Sequence, residues 1–267
     1  MAHYKLILAY EGTNYSGFQR QIGKSSVQGV FEDALRTLGW QDRSILTAGR
    51  TDTGVHASGQ VISFQFDWKH GDLKLLKALN ANLPADIQVQ RLEQCSAVFH
   101  PRYDALARTY RYKLYSKPAR DPLRDRFAWR LDTLPDLGLM NQAASDLIGE
   151  HDFQVFGRAV SENGTTIRRI EDAKWVQTKA DEMEFTVIGN AFLYHMVRRI
   201  VFVLVKVGLG EAPVSIVETG IREGQTGIVA LAPARGLTLH EVRYAEDEEE
   251  NNYPGRIAGV YFENGEC

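Results

Sequence analysis

The sequence predicts an α+β protein made of two similar halves, and three observations carry this. A strand, helix, strand, strand, helix, strand series runs over residues 4–94, and a second such series begins at Ala107. A chain of 267 residues is also long for one compact domain and short for three. The halves divide near residue 104 into 1–104 and 105–245, and an acidic tail covers 246–267.

The elements follow in order. In "HYKLILAY", Tyr4, Leu6, Leu8 and Tyr10 alternate with the period of a strand. A polar, glycine-containing loop, "EGTNYSGFQRQIGKSS", comes next. Val27, Phe31, Leu35 and Leu38 then share one helical face, and Ser25 with Gln28 has capping-box spacing. "SILTA" leads into "AGRTDTGVHA", and "GQVISFQF" leaves it as a strand. "DLKLLKALNANL" reads as a helix with Asp72 as N-cap and Pro84 beyond its end, and "DIQVQRLE" as a strand.

The second half opens with "ARTYRYKLYS", where Tyr110, Tyr112 and Leu114 alternate against Arg111 and Lys113. A helix over 136–148, strands "AKWVQT" and "MEFTVIGNAF", helices over 195–207 and 214–222, and a last strand "LTLHEVRYA" follow. The valines at 200–207 favour a strand by propensity, but the length of the run and its polar start "HMVRR" favour a buried helix. The tail begins as an acidic linker and ends in "GVYFENG", which suits an added edge strand.

Composition excludes several classes. Two cysteines, Cys95 and Cys267, with no CxxC pair and no histidine cluster give neither a disulfide framework nor a zinc site, so no metal is expected and a reducing cytoplasm fits. The N-terminus lacks the basic flank and long apolar stretch of a signal peptide. The longest apolar run, "IVFVLVKVGLG", is interrupted by Lys206 and too short to span a bilayer. The formal charge of −3 includes five acids at Glu246 to Glu250, and the rest of the chain stands at +2. Nine lysines and arginines between Arg102 and Arg130 face only three aspartates, which makes either a solvated face or a local basic stripe suited to phosphates.

"AGRTDTGVHA", residues 48–57, holds an arginine, an aspartate, a histidine and two glycines with little to bury. If Arg50 to Asp52 is extended, both side chains lie on one side of the backbone, and the arginine favours the ionised carboxylate. Gly49 and Gly54 permit unusual dihedrals or close approach. The bland alternative is an Asx-turn with a passing salt bridge. Tyr110 suits either a core position or a platform for a nucleobase. Arg198, at the start of an apolar helix, needs solvent or an anion such as Asp52. His56 and His195 lack metal-like companions, and packing or supporting roles are the default for both.

These blocks together resemble the tRNA pseudouridine synthase A (TruA) family: "AGRTDTGVHA" looks like its signature, and "YEGTNYSGFQRQ", "ALNANLPADI", "ARTYRYKLY", "GEHDFQVF", "NAFLYHMVRRIV" and "APARGLTL" look like further family blocks in the same order. The likeness runs from about Tyr4 to Tyr244. It implies a pseudouridine synthase fold, with a mixed, mostly antiparallel sheet from two RRM-like (ferredoxin-like) halves, flanking helices and a central RNA-binding cleft. It also implies a cytoplasmic homodimer that isomerises uridine to pseudouridine in the anticodon stem-loop of tRNA, at positions 38 to 40, without metal or organic cofactor. By resemblance Asp52 is the catalytic residue, and Arg50, Tyr110 and Arg198 bind substrate. His56, Arg20, Arg108 and Arg111 are candidates for supporting or RNA-contact roles. Glu11 stands where the family usually has aspartate and carries no catalytic weight. Two rivals are a non-catalytic tRNA-binding or folding protein using the same cleft, and a hydrolase with Asp52 as covalent nucleophile, which lacks an evident second acid or metal group.

Overall fold

The computed structural model describes residues 1–159 and 164–245. Within them ten strands form one sheet: β1 (Ala2–Tyr10), β2 (Leu46–Thr47), β3 (His56–Phe66), β4 (Ile87–Gln94), β5 (Ala107–Ser116), β6 (Trp129–Leu131), β7 (Gly149–Asp152), β8 (Ile167–Lys179), β9 (Glu182–Gly189) and β10 (Leu237–Arg243). The helices are α1 (Val27–Thr37), α2 (Asp72–Asn82), α3 (Leu137–Ser145), α4 (Met196–Gly208) and α5 (Ile216–Glu223). The α+β class and the mixed, mostly antiparallel sheet expected from the sequence are what forms. Among the described residues only β3 with β10 and β5 with β6 run parallel.

The sheet order is β4-β1-β3-β10-β5-β9-β8-β7, with β2 on β3 and β6 on β5. The series β1-α1-β2-β3-α2-β4 has spatial order β4-β1-β3-β2, and β5-α3-β8-β9-α4-β10 has the matching order β10-β5-β9-β8. Each series buries its own apolar cluster. One gathers Phe31 and Leu35 of α1 and Leu75 of α2 over β1 and β3; the other gathers α3 and α4 over Trp175 and Phe185. The chain crosses between them, because Leu239 and Val242 of β10 pack in the first cluster and Val55 in the second.

The join is short. β10 pairs with β3 only at His56 and Ala57, whereas β2 takes the same strand at Ile62 and Ser63. The segment from residue 48 to 55 connects β2 to β3, so it runs where the two halves meet. One row of cross-strand partners passes beneath it: Tyr10, Ala57, Leu239, Tyr110, Val187 and Ala173. All are buried except Tyr110, which is half-buried and packs against both clusters. Tyr110 is thus the one member of this row left partly open to solvent.

Local chemistry explains the element boundaries. The cap of α1 is Ser26, whose Oγ accepts from the Gly29 N–H at 3.3 Å; Ser25 lies one residue too early. Gln28 is not part of a capping box, since its amide donates to Glu32 at 2.8 Å. Asp72 is the first residue of α2 rather than its cap, and accepts from Gln94 Nε2 at 3.0 Å. The valine-rich run is helical as expected, with Ile200, Val201, Leu204 and Val205 fully buried. β9 stops at Gly189, and beyond it Asn190 still meets Arg169: its N–H donates to Arg169 O and its Oδ1 accepts from the Arg169 N–H, both at 3.0 Å. β6 and β7 are strands of only three and four residues, too short for periodicity to signal. The expected edge strand in "GVYFENG" lies outside the described residues.

Glu32 is fully buried and ties α1 to the segment before β2. Its oxygens accept from Gln28 Nε2, Ser44 Oγ at 3.2 Å, the Ile45 N–H at 3.3 Å, Arg36 Nη2 at 3.3 Å and Arg20 Nη1. A carboxylate so supplied offsets its desolvation, whereas deleting it strands several donors. Glu32→Ala should lower the urea-unfolding free energy by about 2 kcal/mol or more, since Arg20 and Arg36 can rehydrate but the Ile45 N–H cannot. At permissive temperature it should leave turnover unchanged.

Candidate active site

The loop from Ala48 to Val55 is held by both backbone and side-chain hydrogen bonds. Gln60 Nε2 and Thr47 Oγ1 donate to the Gly49 carbonyl at 2.9 and 2.8 Å, the Phe18 N–H donates to Thr51 O at 3.0 Å, and Tyr10 Oη meets Thr51 Oγ1 at 2.7 Å. The Val55 N–H donates to Asp52 O at 3.1 Å and closes a four-residue turn. Its third residue, Gly54, has φ +77°, the position such turns reserve for glycine. Gly49 has neither positive φ nor a crowded Cα, contrary to the expectation for it. The close approach comes from outside the loop: a Cβ on Gly12 would stand 2.0 Å from Val55 O.

Asp52 makes no Asx-turn bond. Its Oδ2 accepts from Arg198 Nη1 at 3.1 Å and lies 3.4 Å from His195 Nε2, while Oδ1 has no hydrogen-bond partner among the described residues. The expected meeting of Arg198 with Asp52 is thus made, across 146 positions of sequence. Arg198 is fixed in turn by residues before β10. Its Nε donates to Ala232 O at 2.8 Å, and the Ala232 N–H donates back to Arg198 O at 3.1 Å. Arg50 does not join them. It is exposed and makes no ion pair within 4 Å among the described residues, so Arg198 holds the position beside the carboxylate that the i, i+2 spacing suggested for Arg50.

Tyr110 stands on β5 beside this pair, edge-on to Phe192 at 5.0 Å. Burial chiefly, with Asp52 adding and Arg108 opposing, pushes its hydroxyl up to about 12, so the ring is an uncharged phenol at neutral pH. Arg108 is buried and donates to four carbonyls: Ala48 and Ala105 at 3.2 Å, Arg102 at 2.7 Å and Asn190 at 2.6 Å. It knits the start of the reactive loop to the β4–β5 and β9–α4 connections, and burial lowers its pKa from the usual guanidinium value. Arg20 is engaged with Glu32 and with Arg43 O at 3.2 Å. Arg111 lies 3.7 Å from Glu184 on the side of β5 opposite Tyr110. Glu11 accepts from the Thr13 N–H at 3.1 Å and lies 3.7 Å from Arg126.

His56 is a clasp rather than a reactant. Its Nδ1 accepts from the Gly12 N–H at 3.0 Å, which places the proton on Nε2, shared between Arg126 O and Arg235 O at 3.1 Å each. The neutral ring satisfies three segments at once; protonating Nδ1 would set two donors against each other.

The nine basic residues of the 102–130 stripe are mostly neutralised. Seven have acidic partners: Arg111 and Lys113 with Glu184, Lys117 with Asp121, Arg120 with Asp125, Arg124 with Asp181 and Glu182, Arg126 with Glu11, and Arg130 with Asp132. Five of these acids lie outside the stripe, beyond the reach of a local charge count. The arginines without an ion pair among the described residues include Arg50 in the reactive loop and Arg158 and Arg199, whose charges act on His195. Arg102 and Arg168, which act on each other, are also among them. Among the described residues no three His, Cys, Asp or Glu side chains gather as a metal site, and no helix is long and apolar enough to cross a membrane.

Two halves of one strand order share a sheet and meet at a carboxylate loop. The family described as tRNA pseudouridine synthase matches residues 6–104 and 143–245, and the chain belongs to that family. Curated relatives named tRNA pseudouridine synthase A are similar over nearly their whole length. The protein of Syntrophotalea carbinolica is 40% identical over 93% of this chain and 98% of its own. Those of Geobacillus kaustophilus (40%; 91% and 95%) and Limosilactobacillus fermentum (35%; 94% and 100%) are comparable.

His195, for which the sequence supports a packing or supporting role by default, lies beside Asp52; its left-handed backbone at the N-cap of α4, and not a helical face shared with Arg198, brings it there. Two tests follow. Gly12→Ala should displace Val55 and the loop before it, lowering turnover far more than stability. Burial lowers the His56 pKa below 6.5, so its contribution to stability is complete above pH 6.5 and is lost as pH falls through the folded value. The difference in urea midpoint between the parent and His56→Gln should accordingly narrow from pH 7 to pH 5.

Proposed function

We propose that this chain isomerises uridine to pseudouridine in tRNA, with Asp52 as the reacting carboxylate. The supporting observation is the Asp52–Arg198 pair, in which one carboxylate oxygen is paired and the other is open beside an aromatic ring at the seam of two halves. The names of the relatives support tRNA as the substrate. In the reaction the bond from ribose C1′ to uracil N1 breaks, the uracil turns, C5 bonds to C1′, a proton leaves C5 and N1 takes one up. The nucleoside therefore keeps its composition and no electron is transferred. Asp52 acts on the uracil ring, on the ribose, or by removing a ribose proton. Arg198 balances its charge, and Tyr110 packs against the uracil extruded from the RNA stack. Arg50, exposed two residues away, meets the RNA at the mouth of the cleft.

The finer assignments belong to the same proposal: uridines at positions 38 to 40 of the anticodon stem-loop as targets, a homodimer as the working form, the cytoplasm as its place, and the division into 1–104 and 105–245. An anion aimed into a cleft that receives RNA has little use in a non-catalytic binder, which favours the enzyme over that rival.

Tritium release from tRNA labelled at uridine C5 tests the proposal. The parent should release label and Asp52→Ala should not, with tRNA binding retained; tight binding without release by the parent would favour the binding protein. Salt dependence tests the phosphate contacts. Arg102→Ala or Arg168→Ala should each reduce the slope of log K against log salt by about 1, whereas Lys117→Ala and Arg130→Ala, already paired with aspartates, should leave it unchanged.

A further inference from the structure

His195 has φ 66° and ψ 1°, the left-handed region, and is the only non-glycine residue with positive φ among the described residues. Such a conformation is costly for a residue with a side chain and persists where surrounding contacts enforce it. The helix does not explain it. His195 occupies the N-cap of α4, where an oxygen acceptor is favoured, and it makes no capping bond.

What the conformation achieves is placement. The imidazole stacks on Tyr194, ring centroids 3.7 Å apart and planes 26° from parallel, with Nε2 3.4 Å from Asp52 Oδ2. Tyr194 is itself tied down: its N–H donates to Arg158 O at 3.1 Å, and the Arg158 guanidinium lies 5.1 Å from its ring. His195 therefore approaches the carboxylate as the end of a built stack. The groups that act on it are Asp52 from the reactive loop, Arg198 and Arg199 from α4, and Arg158 from the segment after β7.

Accepting Asp52 as the reacting carboxylate, we propose that His195 is a positioning residue: its neutral imidazole confines Asp52 Oδ2 so that Oδ1 is presented to the nucleotide, and protonation of the ring disables the site. Oδ2 then faces one fixed cation, Arg198, and one neutral ring. A protonated His195 would set a second cation against the same oxygen and weaken the carboxylate as a nucleophile or base. Burial, with Arg198, Arg199 and Arg158, disfavours that charge and outweighs the attraction of Asp52, so the ring's pKa lies below 6.5 and the neutral form prevails at pH 7.

His195→Asn and His195→Gly test this. Both residues accept left-handed backbone, so the start of α4 survives, and neither carries an imidazole to Asp52. The single-turnover rate at pH 7.5 should fall about tenfold to a hundredfold with unchanged tRNA affinity. The acid limb of the parent's rate profile, set by a group titrating below 6.5, should flatten in both variants. Variants with the parent's rate and profile would overturn the proposal. So would variants that lose rate but keep the acid limb, since that outcome assigns His195 to the fold alone. If the parent were inactive at every pH, the Asp52 reading beneath the proposal would fall, and the proposal with it.

Discussion

The ion pair between Asp52 and Arg198 is the constraint around which the molecule is organised. It joins a loop of the first half to a helix of the second, 146 positions apart, and neither partner reaches it unaided. Asp52 is placed by a glycine-dependent turn pinned against Gly12, Tyr10 and Phe18. Arg198 is placed by two reciprocal bonds with Ala232, just before the strand that joins the halves. Taking both charges partly out of water is costly, and the added hydrogen bonds around them offset that cost. The site is assembled only when the whole sheet is.

The sheet supplies the rest. A two-residue parallel contact between β3 and β10 makes the two halves one sheet, Arg108 and His56 add side-chain ties across the seam, and the one half-buried member of the cross-strand row there is Tyr110. Charge is arranged with the same economy. Ion pairing neutralises most of the basic stripe, including Arg111 and Lys113 on the central strand β5, and leaves Arg50, Arg102, Arg158, Arg168 and Arg199 without acidic partners among the described residues. Arg108, a candidate for a supporting or RNA-contact role in the sequence, is buried and donates to four carbonyls, which is a supporting role.

Much of this was legible before any coordinates. Alternation in "HYKLILAY" and "ARTYRYKLYS", the helical face of Val27, Phe31 and Leu35, and the buried character of α4 each follow from periodicity, and Arg198 was expected to need an anion. Long-range partners were not legible. Nothing near Arg50 says that it faces solvent, and nothing near Lys113 or Arg124 announces Glu184 or Asp181. For His195 the sequence supports only a default packing or supporting role, because a left-handed histidine has no signature in sequence. Ser25 and Ser26 are equally good caps on paper, and only the path of the chain selects the second.

The measurement that bears most directly on this account is the single-turnover rate of Arg198→Ala on saturating tRNA, with and without added guanidinium ion. The account predicts a loss of about 10² or more in rate with tRNA still bound, and partial recovery when guanidinium refills the place beside Asp52. A variant that turns over as fast as the parent would contradict it, for the carboxylate would then work without the partner around which the fold is built.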